Sequence, residues 1–159
     1  MFAGKKSAQI REILISESAW EEMTCLFAPS LGFGHGLHLP TDNMTGKITG
    51  TRMHSALVFE KEFDSSSPYL YKAVAKGQTL KSAEFKWYKI NDAGQEVEYF
   101  NMFLENVKVV SICPVMHDVK NPAMEKHNHL ENISLRYEKI TWRHCDGNII
   151  FADSWNDRS

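Results

Sequence analysis

The chain has 159 residues, with 18 Lys and Arg against 20 Asp and Glu, a net charge of −2. Hydrophobic residues make up 43% and charged residues 24%, enough for one folded domain and too apolar for a disordered chain. The charge balance excludes the basic footprint of a duplex-binding protein, the scattered Lys and Arg form no membrane-surface patch, and no apolar run reaches the roughly 18 residues of a membrane-spanning helix.

Residues 1–34 form a divergent leading segment. Ile10, Ile13, Leu14, Trp20 and Met23 fit a helical stripe with a gap at Glu17, while Ile13-Leu14-Ile15 equally fits a short strand. Met1 to Lys6 lack the apolar stretch of a cleaved signal peptide. Leu31 to Gly36 is glycine-spaced and reads as a loop or linker.

From about residue 47 onward the pattern is that of strands. Leu57, Phe59 and Phe63 alternate with Val58, Glu60 and Glu62. Ser67 as N-cap, Pro68 at the first helical position and Gly77 just past the end predict one helix, with Leu70, Ala73 and Val74 on its buried face. Thr79–Ile90, Val97–Cys113, Ile133–Arg143 and Ile149–Trp155 read as further strands, with turns at Asn91–Gly94 and Asp146-Gly147. The fold class expected is mainly β, a sandwich or barrel, over residues 35–159.

The stretch 97–112 is apolar on both faces. Val97, Tyr99, Phe103, Val107 and Val109 share one parity, and Phe100, Met102, Leu104, Val110 and Ile112 the other. An antiparallel strand of a small barrel has one wet face, so a second apolar face calls for a cover, either the helix or another subunit. Phe100, Met102 and Leu104 are the candidates for such lateral packing.

Chemistry is sparse. Cys25, Cys113 and Cys145 form no CxxC pair, which argues against a disulfide framework or zinc ribbon. There is no G-x-S-x-G elbow and no phosphate loop. His127, His129 and Glu131 alternate, so on a strand they share a face; with His117 or His144 they make a candidate metal set for a cupin-like barrel enzyme. The bland alternative is a polar strand edge after the Asn121-Pro122 loop.

Several long stretches resemble one family. They are Pro40-Thr41-Asp42-Asn43-Met44-Thr45-Gly46-Lys47 onward to His54, Glu60 to Ala73, Ser82 to Tyr88, Glu96 to Phe100, and Leu135 to Trp142. Together they resemble Hcp, the haemolysin-coregulated protein of the bacterial type VI secretion inner tube. The resemblance implies a two-sheet β-barrel with one helix on its side, and no enzymatic activity or cofactor. It implies six-membered rings that stack into a hollow tube, secretion without a cleaved signal, effector proteins as cargo, and sheath and tip proteins as partners. A long loop that reaches the neighbouring ring in this family matches Pro40 to His54, which makes Asp42, Asn43, Lys47 and Arg52 candidate contacts between protomers. Residues 1–34 depart from the family pattern, so they either supply divergent strands or leave sheet edges open. The end at Ser159, soon after the last strand, implies no fused toxin domain.

Overall fold

The computed structural model describes residues 9–16, 24–26, 32–118, 120–123 and 128–157, the first two stretches by backbone. The leading segment contributes strands β1 (Gln9–Ser16), β2 (Thr24–Leu26) and β3 (Gly32–Gly34). Of the two local readings of Ile10 to Ile15, the strand holds, because Gln9 to Ser16 pair antiparallel with the strand over 80–90. Next come β4 (Leu37–His38), β5 (Met53–His54), β6 (Leu57–Glu62), helix α1 (Ser67–Lys76), β7 (Leu80–Ile90) and β8 (Glu96–Val115). Strands β9 (Leu130–Arg136), β10 (Lys139–His144) and β11 (Ile149–Ser154) finish the described chain.

Nine strands form one curled, barrel-like sheet in the order β2-β1-β7-β8-β9-β6-β3, with β10 on β8 and β11 on β10; β4 and β5 pair separately. The long strand β8 joins two halves. Its first part pairs with β7 and β10, and its last part with β9. Helix α1 lies against β8 with Leu70 and Ala73 buried. Gly77 ends it in the left-handed region at φ 61°, and the N–H groups of Gly77 and Gln78 satisfy the carbonyls of Val74 and Ala73. The N-cap is Ser66, one residue before the expected Ser67. Ser67 is drawn inward because its hydroxyl donates to Glu131 at 2.8 Å.

Helix α1 supplies the expected cover over part of β8, while Val110 remains exposed. Met102 and Leu104 are 4% and 0% exposed, and Val107 and Val109 are buried with them in the same core. The inward parity changes from even to odd at Asn106, which has φ +51°. No residue is inserted: Glu105 still faces Lys139 and Lys108 still faces Arg136. The facing chain changes parity at the same rung, from Leu135 and Tyr137 to Ile140. The strand pair therefore twists as a unit, and Met102 and Leu104 of one series feed the same core as Val107 and Val109 of the other. Met102 and Leu104 are thus corrected from lateral packing residues to core residues. Phe100 is half-buried against that core and meets Trp87 edge-on at 5.6 Å.

Strand β6 departs from expectation in one respect. Its inward residues are Leu57, Phe59 and Lys61, whereas Phe63 lies past its end and is exposed. Lys61 is 0% exposed, and its Nζ pairs with the buried Glu131 and lies 3.0 Å from Asp64 Oδ1. This polar cluster ties β6, β9 and the start of α1 together.

Candidate functional site

The most prominent surface feature is an arm over residues 37–54. Its legs are β4 and β5, and a bridge between Thr41 and Ile48 continues the hairpin outward. Asp42 builds the tip: its backbone N–H donates to the Lys47 carbonyl at 2.7 Å, and its Oδ1 accepts from Met44 N–H at 2.7 Å. The backbone N–H groups of Met44 and Thr45, both donating to it, hold the Asp42 carboxyl below the usual carboxylate range. Asn43 and Lys47 are exposed beside it. Beside these polar groups the arm carries exposed Leu37, Leu39, Ile48 and Met53, and Met44 at 94% exposure.

Arg52 sits at the arm's base rather than its tip. Its Nε donates to Asp153 Oδ2 at 2.5 Å and its second guanidinium nitrogen to the Ser154 carbonyl at 3.0 Å. His54 Nε2 lies 2.7 Å from the same Asp153 oxygen, and His54 Nδ1 lies 2.8 Å from the Tyr137 hydroxyl. His35 Nε2 approaches that hydroxyl from the other side at 2.5 Å. An aspartate carboxylate only accepts, so His54 donates from Nε2. A neutral His54 ring then accepts from Tyr137, whose oxygen accepts from His35.

This chain locks the base of the arm to β11 and to the Tyr137 corner between β9 and β10. Trp155 covers it, 5.6 Å from His54 between ring centroids. The Arg52 hydrogen bond, helped by His54, holds the Asp153 carboxyl below its ordinary range. Burial, and then the Asp153 charge, push the Tyr137 hydroxyl upward. Burial, and then the neighbouring His54, lower His35.

A second feature is the open edge of β11. Its only strand partner among the described residues is β10, and Ile149, Ile150 and Phe151 are all exposed, Phe151 at 63%. Phe151 stacks on Trp142 at 5.8 Å and 11°. It extends the cross-strand row Phe85, Met102, Trp142 beyond the chain's own cover.

The expected metal set does not assemble. Glu131 turns inward to Lys61, and His129 lies outside β9 beside Phe63. His127 lies outside the described residues. His144 Nδ1 is directed at the Asp146 carbonyl. Among the described residues no three His, Cys, Asp or Glu side chains form a metal-holding group.

Comparison with known proteins bears on this architecture. The family described as "Type VI secretion system effector, Hcp" matches residues 30–144. The chain belongs to the Hcp family. The Major exported protein of Pseudomonas aeruginosa is 36% identical over 124 residues, covering 78% of this chain and 72% of that protein. A solved structure of doubly substituted Hcp1 from E. coli EAEC 042 pathovar is 55% identical, with a TM-score of 0.76 over 91% of this chain and 97% of that one. Another Hcp crystal structure, 21% identical, shares the fold with a TM-score of 0.82, covering 94% and 99% of the two chains. The mainly β, one-helix Hcp architecture implied by the resemblance is the one observed.

The anchor residues were invisible in the sequence. His35, His54, Tyr137 and Asp153 are scattered along the chain, and only the fold brings them together. The available signals were Arg52 with His54, and Tyr137, each within a family-like stretch.

Proposed function

We propose that this chain is the ring-forming subunit of a type VI secretion inner tube. Six protomers close into a ring, rings stack, and the lumen carries small effector proteins outward. The tube is exported whole, with sheath and tip proteins as its partners. The observation that carries this reading is the arm: a hairpin locked at its base by Arg52, His54 and Tyr137, with an exposed apolar tip that no other described residue covers. Asp42, Asn43, Lys47 and Met44 make its contacts with a neighbouring protomer. The β11 edge, with Ile149 and Phe151, packs laterally within the ring. A heterologous contact of this kind closes into a ring when its rotation divides a full turn.

Negative-stain images of purified protein, with light scattering of the same sample, test the proposal. Six-fold rings or hollow filaments are expected. A strictly monomeric species at high concentration overturns it.

A further inference from the structure

The row of hydrogen bonds at the base of the arm has a fixed capacity for protons. With both imidazoles neutral, every hydrogen in it has an acceptor. His54 Nε2 donates to Asp153, the Tyr137 hydroxyl donates to His54 Nδ1, and His35 Nε2 donates to the Tyr137 oxygen. One added proton fits on either ring. On His35 it occupies Nδ1, and the three bonds stand unchanged. On His54 it occupies Nδ1, and the row turns over: His54 donates to Tyr137, and Tyr137 donates to His35 Nε2, whose ring takes the other tautomer.

A second proton has no such place. Both rings then donate to the Tyr137 oxygen, and the phenolic hydrogen loses its acceptor. Among the described residues that hydroxyl bonds only to the two histidines, and Tyr137 is 4% exposed, which leaves little room for water instead. The charges also fail to balance. Arg52 and two imidazolium rings would share the single carboxylate of Asp153, with the histidine ring centroids 6.5 Å apart. The other groups packed around the row do not supply the missing charge. Trp142 lies beside His35, Trp155 covers His54, and Arg136 over Trp155 adds a further cation. Exposed Asp157 meets Arg52 with its backbone carbonyl, and the Glu138 carboxylate is engaged by Asn106.

His35 is the member placed to give way. His54 is 5% exposed and tied to Asp153, whereas His35 is half-buried on a strap between β3 and β4 with a glycine at either side. We propose that His35, Tyr137 and His54 form a two-proton latch on the arm: it stays closed with one added proton and opens at His35 when both rings are charged, with Arg52 and His54 still holding the second leg. The latch belongs to the single chain and goes beyond the assembly proposed above. It makes the freedom of the arm depend on acidity.

Histidine ring nitrogens observed by NMR in dilute protein count the protons taken up. Hydrogen exchange of the amides of residues 36–54, corrected for the intrinsic rate at each pH, reads the arm. As pH is lowered from 7.5 towards the onset of carboxylate protonation, arm protection is expected to hold through the first protonation of the pair and to fall at least about tenfold with the second. The amides of β8 and β9 are expected to keep theirs. His35→Gln is expected to keep the arm protected over the same range, because the glutamine amide takes up no proton. Tyr137→Phe is expected to leave the arm less protected at every pH. Protection that falls with the first proton, or not at all, overturns the inference, as does a His35→Gln variant that loses it as the parent does. Loss of β8 protection in step with the arm also overturns it, because the whole fold and not the latch has then opened.

Discussion

Asn106 donates from its side-chain amide to Glu138 at 2.7 Å, across the rung where both strands of the long hairpin exchange their inner and outer faces. Asn tolerates a left-handed backbone better than other residues with a side chain, and its amide here also braces the facing strand. Replacing Asn106 with Val puts a β-branched residue at φ +51° and is expected to cost about 2 kcal/mol. Asn106→Gly keeps the backbone and loses only the brace, so it should cost less. Urea unfolding of the two variants measures the difference.

Lys61 and Glu131 form an ion pair with both side chains fully buried. Removing one partner leaves an uncompensated charge, so Lys61→Met alone should cost roughly 3–5 kcal/mol. The double change Lys61→Met with Glu131→Leu should cost less than that single change. A double-mutant cycle on unfolding free energies checks the sign of the coupling.

Stability should fall as acid is added from pH 7.5. Burial and His54 lower His35 below its ordinary value of 6.5, so the unfolded chain takes up the proton more readily. The stabilisation is complete above that value and declines as pH drops through it. A second loss follows at lower pH, where Asp153 and Asp64 protonate; both are held below the usual carboxylate range, Asp64 because bonds from Ser66 and Lys61 outweigh its burial. His35→Gln should flatten the first decline and leave the second. Urea midpoints across pH test this, and a variant with an unchanged profile removes His35 from the account.

Tyr137→Phe deletes the hydroxyl between His35 and His54 and leaves two ring nitrogens without their partner. A cost of about 1–3 kcal/mol is expected. The arm should loosen at its base, so trypsin should cut after the exposed Lys47 faster than in the parent. Equal cutting rates would show that the anchor does not hold the arm.

Met44→Ser should leave the stability of a single chain within about 0.5 kcal/mol, since the side chain has almost no contacts of its own. Assembly should suffer instead. Comparing the melting temperature with the length of filaments in stained images separates the two effects.

The strand alternation and the Pro68–Gly77 punctuation carried most of the fold, because local patterning and local geometry coincide there. Three things were not local. Lys61 occupies a core position whose partner, Glu131, is far along the chain. The change of parity at Asn106 made one core look like two apolar faces, and alternation alone does not reveal a twisted rung. The anchor of the arm joins residues from four separate segments. The arm itself was legible through its likeness to relatives, but its exposed methionine and isoleucine were masked by the polar residues around them.

The uninterrupted run of β8 has a mechanical side. Its backbone runs on from the turn at Asp92 past Lys108, paired with at least one antiparallel neighbour along its length. A load applied between those two points acts along the strand and strains its hydrogen bonds in shear, many at once, instead of unzipping them singly. Single-molecule stretching between Asp92 and Lys108 is expected to register that as a high rupture force.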